Sequence, residues 1–206
     1  MRVVLVAGPS GSGKSRIARL AGCPSLNLDD FYCDGDQPGL PRTLGIVDWD
    51  DARSWDGSAA LAAILELIRT GSVTVPRYDI SANAAVGTHR IEAEHSDCII
   101  AEGVFALETA GHCADAGVPV EPLYLDRPSV MVAVLRLVRD IRERRKPAHV
   151  LVRRGFALWR REPDLRRRAL AAGFRPVGMR AALALVTADS AARATSPGPP
   201  RPGRGR

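Results

Sequence analysis

A glycine-rich turn near the N-terminus constrains the fold of this chain more than any other segment does. It directly follows the apolar run Val3–Ala7 and reads Gly8-Pro9-Ser10-Gly11-Ser12-Gly13-Lys14-Ser15. The spacing matches G-x-x-x-x-G-K-[ST], in which glycines let backbone N–H groups converge on phosphate oxygens at distances that side chains would block. Ile17 and Leu20 follow at helical spacing before Gly22. The sequence therefore predicts a strand, a phosphate-binding loop and a short helix.

The side chains of this loop fit a nucleoside triphosphate with Mg²⁺. Lys14 offers a mobile positive charge to the β- and γ-phosphates, and Ser15 offers a hydroxyl ligand to the metal. The chain contains only two lysines, Lys14 and Lys146, among its 29 basic residues. A lysine at this position therefore argues against a chance glycine turn. The predicted cofactors are Mg²⁺ and ATP, with GTP as the open alternative. The predicted nucleotide-binding residues of the loop are Gly8, Ser10, Gly11, Ser12, Gly13, Lys14 and Ser15.

Beyond the loop, short apolar runs alternate with helical patterns. The further buried strands are predicted at Ser25–Leu28, Cys98–Ala101 and Pro122–Leu125. Apolar residues at i, i+3, i+4 and i+7 predict an amphipathic helix from Asp56 to Gly71. Such alternation indicates an α/β fold with a mainly parallel, five-stranded sheet flanked by helices.

Several segments are predicted to lie outside this sheet. Residues 33–50 are rich in Gly, Pro and Asp and predict a loop, whereas Val73–Tyr78 and Thr88–Ala93 predict a small β excursion. A further helix is expected from about Pro128, followed by a basic loop. We expect a single domain over residues 1–188. The tail at 189–206 is rich in Pro, Gly and Arg and is predicted to be disordered.

The charge and the apolar runs limit the classes of partner. Of the net charge of +6, about half comes from four arginines against one aspartate after residue 186, so general nucleic-acid binding is not favoured. No apolar run is long enough to span a bilayer, and we expect no leader before the first strand, since Met1-Arg2 is followed directly by the strand pattern. The four cysteines have no metal-ligand spacing and are expected to be reduced. We therefore predict a cytoplasmic protein with a small-molecule substrate and no membrane partner.

Carboxylates follow several predicted strands at the point where each strand ends. They are Asp29, Asp30, Glu102 and Asp126. In open α/β sheets, ligands bind outside the carboxyl ends of the strands. Phosphoryl transfer to an alcohol requires one carboxylate to accept the hydroxyl proton and an acidic group near Mg²⁺. Asp29 and Glu102 are the predicted pair, whereas Asp30 and Asp126 remain open between such roles and helix caps.

Six motifs in order resemble those of the uridine kinase family, a family of P-loop kinases. They are Gly8–Ser15, Asp29-Asp30-Phe31-Tyr32, Asp48-Trp49-Asp50, Pro76-Arg77-Tyr78-Asp79, Ala101-Glu102-Gly103 and Arg139-Asp140-Ile141-Arg142-Glu143-Arg144. The resemblance covers roughly residues 1–147. It implies a P-loop kinase fold and transfer of a phosphoryl group from ATP to the 5′-hydroxyl of a nucleoside, uridine or cytidine. It also implies a homo-oligomer, since family members often form tetramers.

The resemblance implies a role for each matching acceptor-side residue. Asp29 would be the base at the ribose 5′-hydroxyl, close to the metal, and Asp50 would bind the ribose hydroxyls. Tyr78 would lie beside the base, and Glu102 would act near Mg²⁺ together with Ser15. At Asn83 the family commonly has a histidine that contacts the base. Asn83 is therefore the candidate base-contacting residue and also the position that weakens the uridine assignment.

The resemblance further implies a helical lid at about 136–150 that closes on the phosphates. Arg136 would bind nucleotide, Arg139 would act in catalysis and in substrate binding, and Arg144 would act in catalysis. Arginine suits this task because its planar fork bridges two phosphate oxygens. The alternative for these arginines is a solvated helix face with ion pairs to Asp140 and Glu143.

Two other functions remain open from the sequence. One is a related P-loop kinase for another small alcohol, such as pantothenate, nicotinamide riboside or a sugar phosphate, which the departure at Asn83 keeps open. The other is a nucleotide-binding regulatory ATPase, which would hydrolyse ATP without an acceptor and would not need Asp50 or Tyr78.

Overall fold

The protein is described here by a computed structural model that covers residues 1–43, 45–128 and 163–194, with side chains to residue 187. Its strands are β1 Arg2–Ala7, β2 Ser25–Asn27, β3 Arg42–Thr43, β4 Ile46–Val47, β5 Ser72–Asp79, β6 Ala84–Glu92, β7 Cys98–Glu102, β8 Val120–Leu125 and β9 Arg175–Val177. Its labelled helices are α1 Lys14–Ala21, α2 Gly57–Thr70, α3 Ala106–Asp115 and α4 Met179–Ala194. Residues 163–171 are also helical.

Five strands form the central sheet in the order β2-β7-β1-β8-β9, and all neighbours are parallel. On β1, Val3 and Leu5 pack in one core cluster, whereas Val4 and Val6 pack in a second. The first cluster includes residues of α2 and α3, and the second includes residues of α1 and α4. Both faces of the sheet are therefore covered, which explains why β1 is apolar throughout. The predicted fold class is confirmed.

The ends of the predicted helices follow local chemistry. The backbone N–H of Gly22 donates to the Ala18 carbonyl at a φ of 66°, where α1 ends. The Asp56 side chain accepts from the Ala59 N–H and caps α2, and Gly71 ends that helix at a φ of 77°. Positive φ favours glycine at both C-terminal positions.

Two small two-stranded sheets lie outside the central one. The predicted excursion is the antiparallel hairpin β5–β6, with Asn83 at a φ of 52° in its turn. The second is the pair β3–β4. It lies within residues 33–50, so the prediction of an irregular loop there was wrong for two pairs of residues. Short strands of this kind arise from a local turn, at Gly45 with a φ of 80°, rather than from an apolar pattern.

Besides β3 and β4, three further elements were not expected from the sequence, namely α3, β9 and α4. The last of these runs to Ala194, so the predicted start of the tail at residue 189 falls inside a helix. The predicted lid at 136–150 and the tail beyond residue 194 lie outside the described residues. Within the described ranges, none of the helices has the length and apolar character needed to cross a membrane.

A candidate active site at the carboxyl edge of the sheet

The phosphate-binding loop joins the end of β1 to the start of α1. Gly8, Gly11 and Gly13 have φ values of 150°, 84° and 98°, in the left-handed half of the map that side chains disfavour. A Cβ on Gly8 would lie 3.1 Å from Ser12 Oγ and 3.2 Å from the Leu125 carbonyl oxygen, so a side chain there would press on the loop and on β8. Lys14 Nζ donates to the Gly8 carbonyl at 3.0 Å. The predicted loop thus has the backbone conformation that its glycines require.

Ser15 and Glu102 meet across the gap between α1 and the end of β7. Ser15 Oγ donates to Glu102 Oε1 at 2.5 Å, and Glu102 is 7% exposed. Burial raises the pKa of the Glu102 carboxyl, while the nearby positive charge of Lys14 opposes that shift. A buried carboxylate beside a hydroxyl is a set of oxygen donors suited to Mg²⁺.

Ser15 and Glu102 fit a magnesium site in which the nucleotide phosphates and water supply most of the ligands. Among the described residues, no group of three or more His, Cys, Asp or Glu side chains is placed so that it could hold a metal ion. Mg²⁺ in nucleotide sites is commonly held by one or two protein oxygens, with phosphates and water completing its shell. Ser15 and Glu102 would supply those protein oxygens.

Asp29 lies beside the end of β7, in a short 3₁₀ turn, Leu28–Phe31, that follows β2. Its Oδ1 accepts from the Val104 N–H at 2.9 Å, and its own N–H donates to Asn27 Oδ1 at 3.2 Å. A Cβ on Gly103 would lie 2.8 Å from Asp29 Oδ1, so only glycine leaves room for the carboxylate. The negative charge of Asp29 also acts on Glu102. The structure therefore brings together four of the predicted residues, Lys14, Ser15, Asp29 and Glu102.

A buried indole holds the turn that carries Asp29. Trp55 Nε1 donates to the Leu28 carbonyl at 2.8 Å, and the Trp55 ring stacks on Phe105 with centroids 4.9 Å apart. Trp55 is only 5% exposed. These contacts fix the main chain directly before Asp29 against the start of α3.

Three aromatic rings form a cluster next to this turn, from Tyr32, Trp49 and Tyr78. Their centroids are 5.4 to 6.2 Å apart. The Tyr78 hydroxyl donates to the Cys33 carbonyl, and burial raises the pKa of Tyr78 to about 12. Asp50 follows Trp49 directly, is exposed, and donates its N–H to Asp48 Oδ1. The predicted substrate residues Asp50 and Tyr78 are thus linked through Trp49, and their binding roles stay predictions.

Asn83 has a backbone reason for its identity. It occupies the turn between β5 and β6 at a positive φ, which asparagine tolerates better than most residues, and its carbonyl accepts from the Gly35 N–H at 2.7 Å. A role in contacting a base stays a prediction. The predicted lid residues Arg136, Arg139 and Arg144 lie outside the described residues.

Two further residues lie beside the loop, Arg127 and Met179. A Cβ on Gly13 would lie 2.7 Å from Met179 Cε and 3.9 Å from Arg127 Nη2, so both side chains flank the last glycine of the loop. Neither belongs to a motif, and only the pairing of β9 with β8 brings Met179 to this place. The strand-end acid Asp126, whose role the sequence left open, forms an ion pair with Arg166 at 3.0 Å.

A parallel sheet that carries a glycine loop, a Lys-Ser pair and two facing acids at its carboxyl edge defines a P-loop phosphotransferase. The chain is 32% identical over 149 residues to a uridine kinase of Geobacillus kaustophilus (strain HTA426). The matched region covers 69% of this chain and 68% of that protein. It is 30% identical over 149 residues to a uridine kinase of Macrococcus caseolyticus (strain JCSC5402), with 69% and 70% covered. The chain belongs to the uridine kinase family.

A solved structure shares the fold at lower identity. A candidate fructose transport system kinase from Silicibacter sp. TM1040 superposes with a TM-score of 0.52 at 16% identity, over 86% of this chain and 87% of that one. No protein-family model matches the chain.

Proposed function

We propose that this protein is an ATP-dependent nucleoside kinase that phosphorylates the 5′-hydroxyl of uridine or cytidine in pyrimidine salvage. The observation that carries the proposal is the grouping of Asp29 and Glu102 with Lys14 and Ser15 at one edge of the sheet. Such a group supplies both halves of a kinase site, a grip on phosphates and a proton acceptor. The names of the two relatives above support a nucleoside as the acceptor.

The nucleotide half of the site is built from backbone N–H groups and one lysine. The loop N–H groups and the positive end of α1 would bind the phosphates, and Lys14 would move from the Gly8 carbonyl to the β- and γ-phosphates. Ser15 and Glu102 would hold Mg²⁺, which would neutralise the negative charge that develops on the phosphates.

The acceptor half depends on Asp29. In the proposed reaction the 5′-oxygen forms a bond to the γ-phosphorus, the bond from that phosphorus to the ADP oxygen breaks, and Asp29 takes the hydroxyl proton. The Val104 N–H holds one carboxylate oxygen, which leaves the other for the substrate. Arg136, Arg139 and Arg144 would close on the phosphates and exclude water. Asp50, Tyr78 and Asn83 would bind the nucleoside.

A panel of acceptors tests this function directly. The protein is incubated with ATP and Mg²⁺ together with uridine, cytidine, purine nucleosides, nicotinamide riboside, pantothenate and sugar phosphates, and phosphorylated products are measured. Uridine or cytidine should turn over far faster than the other acceptors. Faster turnover of a different alcohol would replace the proposed substrate, and ADP release at the same rate without any acceptor would refute a kinase.

A pair of matched variants tests the proposed base. Asp29→Asn should lower kcat by a factor of about 10² to 10⁴, the usual contribution of general base catalysis, while ATP binding stays nearly unchanged. Asp126→Asn is the control, because Asp126 also follows a strand of the sheet but pairs with Arg166. The kcat of the Asp126→Asn variant should stay within about threefold of wild type, because an exposed ion pair contributes little. Near-normal transfer by Asp29→Asn would assign the base elsewhere.

A further inference from the structure

Asp30 follows the proposed base directly in sequence but contacts a different part of the molecule. It is 8% exposed, and its Oδ1 accepts from the Tyr78 backbone N–H at 3.2 Å. Tyr78 lies on β5, 48 residues further along the chain. A buried carboxylate on the catalytic turn therefore holds the hairpin that carries the aromatic side of the site.

This contact is one of four hydrogen bonds that join the segment Asp30–Gly35 to the hairpin in the described part of the chain. The other three are the Tyr78 hydroxyl to the Cys33 carbonyl at 3.2 Å, the Ala85 N–H to Asp34 Oδ1 at 2.8 Å, and the Gly35 N–H to the Asn83 carbonyl at 2.7 Å. The hairpin forms its own two-stranded sheet, and its residues Val75 and Ile91 pack in the first core cluster. That packing anchors the base of the hairpin, whereas the four hydrogen bonds join its far half, around Tyr78, to the catalytic turn.

Asn27 lies beside the two neighbouring acids. Its Oδ1 accepts from the Asp29 N–H at 3.2 Å. Burial raises the pKa of the Asp30 carboxyl, and the Asn27 side chain is among the groups that oppose this shift. The proposed base and the carboxylate that holds the hairpin therefore both interact with Asn27, at the end of β2. A shift of Asp30 would change the distance between Tyr78 and Asp29 without removing either side chain.

We propose that Asp30 is a positioning residue for the acceptor: its carboxylate fixes Tyr78 and the β5–β6 hairpin at the distance from Asp29 that a nucleoside requires. The inference rests on the proposed function. Tyr78 would contact the acceptor away from the reacting oxygen, so loss of Asp30 weakens acceptor binding more than it slows the chemical step. The nucleotide half of the site contacts other residues and keeps its affinity.

Three variants separate positioning from a general structural effect. Asp30→Ala removes the acceptor of the Tyr78 N–H and should raise KM for uridine about tenfold, the effect of one buried hydrogen bond to a charged group. KM for ATP should stay within about twofold, because no contact to the loop changes. Asp30→Asn keeps an oxygen that can accept the same N–H, and should restore KM for uridine to within about threefold of wild type.

Asp79→Ala is the matched control. Asp79 also lies on β5, and its Oδ1 accepts a backbone N–H, that of Ser81 at 2.7 Å, but this bond stays within the hairpin. Its kinetic constants should equal those of wild type within about twofold, since an exposed local hydrogen bond contributes little. Equal uridine KM values for Asp30→Ala and wild type would overturn the proposal and leave the proposed function intact. A parallel rise in the KM of both substrates would overturn it as well.

The proposed function can fail separately, and the acceptor panel shows whether it does. If another alcohol is the substrate, KM is compared for that alcohol. Asp30→Ala should again raise KM for the acceptor and leave KM for ATP nearly unchanged. If no acceptor is phosphorylated, hydrogen exchange at the Tyr78 amide decides whether Asp30 holds the hairpin. Faster exchange in Asp30→Ala than in Asp79→Ala supports that contact, and equal exchange refutes it.

Discussion

Replacing Gly103 by alanine is the sharpest single test of the site, because the new methyl group would meet the proposed base. A Cβ at this position would lie 2.8 Å from Asp29 Oδ1 and 2.7 Å from the Cβ of Leu28. Leu28 is fully buried and cannot move away easily. Ordinary contact begins near 3.4 Å, so the Asp29 carboxylate must shift by about 0.6 Å or the main chain must move.

The size of the effect follows from these contacts. Overpacking of a buried site costs about 1–3 kcal/mol, which for a chain of this length lowers the melting temperature by about 2–4 °C per kcal/mol. A base that moves by a large fraction of an ångström lowers kcat by about 10- to 100-fold. The affinity for ATP should stay close to wild type, because the atoms nearest to the new methyl group belong to Leu28 and Asp29 rather than to the loop.

Gly111→Ala provides the control. Gly111 lies in α3, and a Cβ there would have no atom within 4 Å. The change should stabilise the protein by up to about 1 kcal/mol, because alanine is a better helix former than glycine. Melting curves and single-turnover transfer rates are measured for both variants well below their melting temperatures. A Gly103→Ala protein that melts and reacts like Gly111→Ala would refute the placement of Asp29 against Gly103.

Three further outcomes are expected. Trp55→Phe removes the indole N–H that donates to the buried Leu28 carbonyl and should lower the free energy of unfolding by about 1–3 kcal/mol in urea titrations; a loss under about 0.5 kcal/mol would contradict that role of the indole. Burial raises the pKa of Glu102 above its ordinary 4.5, so the folded protein binds that proton more tightly than the unfolded chain, and stability is lost as pH rises through the raised value. In metal-free buffer, Glu102→Gln should therefore melt above wild type at about pH 8, with the difference vanishing toward about pH 4; a less stable variant at about pH 8 would contradict this sign. Burial raises the pKa of both thiols, Cys33 and Cys98, and that of the buried Cys98 to about 12, so iodoacetamide at about pH 8 should modify the partly exposed Cys33 before Cys98; mass spectrometry of peptides that shows the reverse order would refute the burial.

The parts of the fold that were predicted from the sequence are those that local chemistry determines. The phosphate-binding loop, the start of α2 at Asp56 and the glycine that ends it each depend on a few neighbouring residues. The parallel strands were recognisable because burial on both faces makes them apolar throughout. The strand-end acids could be paired from sequence alone, because parallel strands place their carboxyl ends at one edge.

The missed elements depend on contacts between distant residues. In α3 the buried side chains are Ala106, Thr109 and Cys113, which give little apolar periodicity because two of them are small or polar. The strand β9 has only three residues, one of them a proline, and is defined by its pairing with β8. The stack of Trp55 on Phe105 joins residues 50 positions apart, and no local pattern indicates it.

Two adjacent aspartates show what the turn adds to the sequence pattern. Asp29 and Asp30 both follow the predicted strand directly, and the pattern favoured Asp29 as the base but left the role of Asp30 open. The 3₁₀ turn has about three residues per turn, so neighbouring side chains point about 120° apart. One carboxylate thereby reaches the Val104 N–H at the end of β7, and the other reaches the Tyr78 N–H on the hairpin. In a regular strand the Asp29 and Asp30 side chains would point to opposite faces of the sheet. Because both faces are covered, one carboxylate would then lie in the packed core. The turn that replaces the end of the predicted strand therefore lets two neighbouring acids serve the two sides of one site.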